Sequence, residues 1–181
     1  MKLKIYNDSA PYLRNKSKPV PLPLEVKQRR TLLAMIDYLK KSQDPAYAEK
    51  HHIREGIGLA APQIGINLRM LVVYFEKDDQ IVEHGFVNPI IISKSVKLTY
   101  IPSGEGCLSV DEEYRGYVLR PHKVVVRAFD IIPNKEVELT FRGFAAIVVQ
   151  HEIDHLDGIL FYDRINKQQP FLLPENVIVA D

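Results

Sequence analysis

Tryptophan is absent from this sequence and cysteine occurs once, as Cys107. A lone thiol excludes an internal disulfide and leaves three roles for it: buried filler, reactive nucleophile or metal ligand. An excess of either charge is missing too. Lysine and arginine total 24 against 23 aspartates and glutamates, a formal net charge of +1, so no basic field marks DNA, RNA or a membrane surface as the main partner. No uninterrupted apolar stretch is long enough to span a bilayer. The opening MKLKIYNDSAPYLRNKSKPVPLP has neither the apolar core of a signal peptide nor an arginine-rich amphipathic helix. The cytosol is the expected compartment. Internal repeats and low-complexity segments are also lacking.

What is present fits one globular unit. With 181 residues, 46% of them apolar, the chain can bury a real core, and residues 1–181 are expected to form a single domain. Pro19, Pro21 and Pro23 punctuate an extended arm. Val26, Leu32, Leu33, Met35, Ile36 and Leu39 then follow at roughly helical spacing, predicting an amphipathic helix over 24–41. The polar stretch SQDPAYAEKHHIREG reads as a connection with some helical character. Strand-like runs follow at 68–75, 85–93, 96–101, 117–130 and 135–142, broken at Asp78-Asp79, Ser103-Gly104 and Pro133-Asn134. From Phe144 to Leu156 apolar residues occupy most sides of a helical pattern, as in a buried helix. Gly158 is a plausible cap for it, and 158–162 reads as a last strand before a proline-punctuated tail. Helix, strands and a buried helix without regular βαβ alternation predict an α+β fold: antiparallel or mixed sheets packed around the buried second-half helix.

That helix carries His151-Glu152-Ile153-Asp154-His155, an H-E-x-x-H string. Histidines four apart stack on one helix face and can share a metal, and the intervening glutamate reaches a bound water. Two separately satisfied core histidines are the plainer reading, but two imidazoles and a carboxylate buried together without a metal would be costly. The second stretch is GEGCLSVDEE, where Gly104 and Gly106 permit a sharp path that brings the Cys107 sulfur and the Leu108 amide close to another element. The third, GIGLAAPQ at 56–63, satisfies the letter of the dinucleotide fingerprint G-x-G-x-x-G/A. That fingerprint must follow a strand and open a helix, whereas AEKHHIRE precedes this one and Pro62 interrupts it. It is either a structural glycine turn or a loop of exposed backbone presenting Gln63 to a substrate.

GIGLAAPQ, EGCLS and HEIDH, in this order, resemble the three motifs of the peptide deformylases, G-x-G-L-A-A-x-Q, E-G-C-L-S and H-E-x-D-H. The resemblance runs from the first helix to Leu160. The connection before the glycine loop and Val110-Asp111 after EGCLS are similar to the longer subtype of Gram-positive bacteria. The resemblance implies a bacterial cytoplasmic amidohydrolase that removes the formyl group from N-formylmethionyl nascent peptides. It implies one divalent ion held by Cys107, His151 and His155 with water in the fourth place: Fe2+ in the cell, with Zn2+, Ni2+ or Co2+ able to stand in. Glu152 would be the general base, and the Gln63 side chain and Leu108 N–H would stabilise the oxyanion. Main chain at Gly58 would pair with the substrate as an added strand. Phe144, Ile147 and Val148, on the His151 face one and two turns earlier, would line a methionine pocket with Ile57, or else are ordinary core. Glu105 and Gly106, flanking the metal loop, are further substrate-side candidates, Glu105 orienting a backbone group or Arg115.

Asp154 reads equally well as a partner of a neighbouring element or as an exposed carboxylate near the helix end. His51, His52, His84 and His122 belong to no motif and are assigned solvent or structural roles. The expected assembly is a monomer with at most transient contact with the ribosome. A metalloprotease is the first rival, but it would usually take a downstream histidine or glutamate as its third ligand, and after His155 there is no histidine and only one glutamate, Glu175. A cysteine hydrolase using Cys107 with a histidine base is the second. A binding module without catalysis is the third.

Overall fold

The computed structural model describes residues 3–181. Its α-helices are α1 (Val26–Ser42), α2 (Pro45–His51) and α3 (Gly143–Leu156). The strands are β1 (Gly58–Ala60), β2 (Met70–Lys77), β3 (Gln80–Lys94), β4 (Leu98–Tyr100), β5 (Arg120–Pro121), β6 (Lys123–Asp130), β7 (Lys135–Arg142) and β8 (Val177–Val179). An antiparallel sheet runs in the order β1-β2-β3-β6-β7, and a smaller mixed sheet runs β5-β4-β8 with β4 and β8 parallel. This is the α+β architecture expected from the sequence.

The larger sheet lies between α1 and α3, and β2 shows why its sequence is apolar without a break. Leu71, Val73 and Phe75 pack with Ala145, Val149 and Ile153 of α3. Met70 and Val72 alternate to the other face and pack with Leu32, Met35, Ile36 and Leu39 of α1. A strand covered on both faces has no polar side to show. Each fully buried side chain of this kind stabilises by about 1.5–3 kcal/mol.

α1 starts where Glu25 and Gln28 close a reciprocal capping box. Its buried stripe is narrower than the sequence suggested, because Val26 and Leu33 are exposed at 66% and 50%. The polar connection contains α2, whose first turn is capped by the Asp44 side chain. Asp78 and Asp79, at φ 52 and 58, make the tight turn between β2 and β3, the left-handed pair that matches strand twist in a two-residue hairpin.

Three expectations are corrected. The run 117–130 is not one strand: β5 pairs with β4 in the small sheet, while β6 pairs with β3 and β7 in the large one. The chain crosses between sheets at His122. The stretch 158–162 is not a strand, since Leu160 turns inward and Phe161–Arg164 forms a 3-10 turn. The proline-punctuated tail, to which no element was assigned, contributes β8, which pairs with β4. Gly158 sits just past the end of α3 at φ +74, with the Arg14 carbonyl oxygen 2.4 Å from where a Cβ would stand. No helix among the described residues is long and apolar enough to cross a membrane.

Candidate metal centre and active site

α3 is buried along its length, and its polar residues are therefore paired or aimed at one place. Ligand atoms of His151 and His155, one turn apart, lie with the Cys107 sulfur so that all three are within 4.8 Å of one another. His155 Nε2 is 3.3 Å from Cys107 Sγ. The Ser109 main-chain N–H donates to the same sulfur at 3.4 Å.

The other side of His151 is held by a buried ionic chain. Its Nδ1 lies 2.9 Å from Glu105 Oε2. Arg120, only 2% exposed, grips Glu105 with two nitrogens at 2.6 and 2.9 Å and reaches Asp154 at 2.8 Å. Arg164 closes on Asp154 from outside with both carboxylate oxygens engaged. Burial alone would raise the Glu105 carboxyl, but Arg120 and the His151 contact outweigh it and hold it at about 2. An ionised carboxylate can only accept, so His151 Nδ1 donates and Nε2 is the nitrogen left for a metal. Burial works against a charge on His151, yet hydrogen bonds to Cys107 and Glu105 keep its pKa well above the usual value. Without an ion the ring therefore holds a second proton, on Nε2, which a bound divalent ion would replace. Burial, with help from the neighbouring charges of His151 and Arg120, depresses His155 well below the usual value, so it is a neutral donor. One thiolate and two imidazoles suit a tetrahedral divalent ion with one place open.

Burial also raises Glu152, to about 7, because the attraction of His151 and Arg120 does not fully offset it. Its Oε2 is buried and makes no hydrogen bond among the described residues. A carboxylate that titrates near neutrality and has a free oxygen is suited to moving protons. Glu152 packs against Gly58, where a Cβ would lie 2.3 Å from Oε1 and 2.8 Å from Cγ. Gly58→Ala must displace the carboxylate, and is expected to lower kcat at least about tenfold while zinc content stays unchanged. Turnover and metal analysis on the same preparation check this.

A cavity of about 510 Å³ opens onto these groups. Its wall includes Ile57, Gly58, Gln63, Glu105, Gly106, Cys107, Leu108, Phe144, Ile147, Val148, His151 and Glu152. His155 lies behind, 1% exposed. Cys107 O accepts from the Val110 N–H at 3.2 Å, so the trans peptide that follows turns the Leu108 N–H the opposite way, out of that turn. Arg54 braces the loop by donating to the Leu108 and Val110 carbonyls. Of the two loop glycines only Gly104, at φ +83, has a left-handed backbone, and a side chain at Gly106 would meet open space.

A family model described as polypeptide deformylase matches residues 2–171. The chain belongs to the polypeptide deformylase family. A peptide deformylase of Ligilactobacillus salivarius is 46% identical over 181 residues, covering 98% of this chain and 97% of that one. Peptide deformylase 2 of Bacillus anthracis is 48% identical over 172 residues, 94% and 93% of the two chains. The crystal structure of Arabidopsis thaliana peptide deformylase 1B superposes with a TM-score of 0.74 at 32% identity, covering 92% of this chain and 83% of that one. As a deformylase the chain is a metalloenzyme that removes N-formyl groups from nascent peptides.

One deformylase-site contact differs from the sequence reading, and another decides between its two alternatives. Glu105 does not orient Arg115, which is exposed and sits by Glu113; its partner is Arg120, brought under α3 by β5. Asp154 is not an exposed helix-end carboxylate but is buried between two guanidinium groups. His84 pairs with buried Asp130 at 2.7 Å, away from the cavity lining. Sequence reasoning missed Arg120 and Arg54. The only signal for either would have been an arginine inside an otherwise apolar or turn-rich segment.

Proposed function

We propose that Cys107, His151 and His155 hold the catalytic metal and that hydrolysis of the formyl amide takes place in the adjoining cavity. The carrying observation is that a cysteine sulfur and two imidazoles converge within 4.8 Å beside an apolar cavity and a carboxylate with one oxygen unbonded among the described residues. A divalent ion, iron(II) in the cell and zinc, nickel or cobalt as substitutes, would supply Lewis acidity, lowering the pKa of water and polarising the formyl carbonyl.

The residues of this chain do the rest. Glu152 takes a proton from the attacking water and passes it to the departing amine nitrogen. Gln63 Nε2 and the Leu108 N–H donate to the formyl oxygen as it gains negative charge. β1 is an edge strand, paired among the described residues with β2 alone, so Gly58 can accept the substrate backbone as one more strand. Ile57, Phe144, Ile147 and Val148 shape the apolar wall for the methionine side chain, with Glu105 and Gly106 across the cleft. Residues 1–181 act as one catalytic domain, a monomer in the bacterial cytoplasm that meets its substrate on nascent chains with transient ribosome contact.

The test is substrate discrimination by metal-loaded enzyme. Formyl-Met-Ala is expected to be hydrolysed with release of formate, acetyl-Met-Ala and internal peptide bonds are expected to stay intact, and a chelator is expected to stop the reaction. Activity that persists in chelator and is lost to thiol alkylation would instead assign Cys107 as a nucleophile.

A further inference from the structure

We infer that Ser109 is a positioning residue for the reaction, its hydroxyl fixing the Gln63 amide so that one N–H remains directed at the substrate oxygen. The inference rests on the reading of Gln63 as an oxyanion donor. Both side chains are enclosed, at 0% and 1% exposure. The Gln63 amide oxygen is already committed, accepting the Ala60 N–H at 2.7 Å. That bond settles which end of the amide is nitrogen. Nε2 then donates to Ser109 Oγ at 3.2 Å and lies 3.5 Å from Cys107 Sγ. An amide is planar, so fixing its oxygen and one hydrogen fixes the direction of the other. With Ser109 taking the first hydrogen, the second is held on the side of the Cys107 sulfur and the cavity.

Ser109 is itself held from behind. Its carbonyl accepts the Asp8 N–H at 2.8 Å, and the Gln63 carbonyl accepts the Tyr6 N–H at 2.8 Å. One extended arm thus spaces the two loops. Ser109 also serves the metal loop with a different atom, its main-chain N–H, which donates to the Cys107 sulfur. Removing only the hydroxyl separates the two roles.

The experiment is a double-mutant cycle on cobalt-loaded enzyme with formyl-Met-Ala, using Ser109→Ala, Gln63→Ala and the pair. Ser109→Ala is expected to lower kcat about tenfold with KM nearly unchanged. In the Gln63→Ala background it is expected to cause no further loss. Cobalt content and the thiolate-to-cobalt absorption are expected to match the unsubstituted enzyme, because the main-chain N–H remains. Additive losses, or loss of cobalt or of that absorption, overturn the inference while leaving Gln63 its role. A Gln63→Ala enzyme with normal kcat removes the role of Gln63 itself. Should Ser109→Ala not fold, proton NMR of the unsubstituted zinc-loaded enzyme decides. One Gln63 amide proton is expected to exchange slowly, and two equally fast-exchanging protons overturn the inference.

Discussion

Glu152→Gln is expected to abolish nearly all turnover and to leave metal binding intact. The substitution keeps the size of a side chain that is 4% exposed and packs on Gly58, but an amide cannot take a proton from water. General-base catalysis is worth roughly 10²–10⁴-fold, and kcat is expected to fall by that amount while KM moves little. The pH dependence supplies a second reading. Activity of the unsubstituted enzyme is expected to rise with pH as the Glu152 carboxyl ionises, at about 7. That acid limb disappears in the variant's residual rate. Zinc stoichiometry by elemental analysis is the control. A variant that loses zinc along with activity would make Glu152 a ligand rather than a base.

Arg120→Met is expected to give the largest loss of stability of any single substitution outside the apolar core. The side chain is 2% exposed and answers two carboxylates that are 4% and 8% exposed. Removing one member of such a group strands the others and costs about 3–5 kcal/mol. Urea unfolding midpoints of the two proteins at pH 7 measure it. Metal affinity is expected to fall by roughly 10–100-fold as well, since Glu105 no longer holds His151 in one orientation. The pH dependence has a defined sign. Glu105 titrates at about 2 in the folded chain against an ordinary value of 4.5, so its stabilisation is complete above pH 4.5 and is lost as pH falls through about 2. The gap between the two proteins therefore narrows over that window. Arg164→Met is expected to cost much less, because Arg164 is 39% exposed and Arg120 still answers Asp154.

These two residues mark what the sequence could and could not reveal. Glu152 lies in a short local string, where helix periodicity alone puts it beside two histidines. β7 was bounded correctly at 135–142 because alternation and its turn are also local. Arg120 looks like an ordinary charge immediately before a proline, and its meaning comes from Glu105 and Asp154, 15 and 34 positions away. Nothing in a periodic pattern encodes such a partner. The break at His122 was hidden for a similar reason, since both halves of 117–130 have strand character and only the assignment to different sheets divides them. β8 is three residues long, too short for alternation to be read. Phe161 looked like strand because it is apolar, whereas it is apolar because it packs beside Val110 and Val118 behind the metal loop.

The amino-terminal arm bears on how the site comes into being. Its main chain meets Gln63 through Tyr6, Ser109 through Asp8 and the last turn of α3 through Ser17, whose N–H reaches the Leu156 carbonyl at 2.8 Å. These contacts join residues 57 to 139 positions apart and close loops that span much of the chain. Contacts so far apart in sequence are slow to form, because loop closure must come first. Activity should arise in a single step at the end of folding, with no partly folded species able to act on other nascent chains.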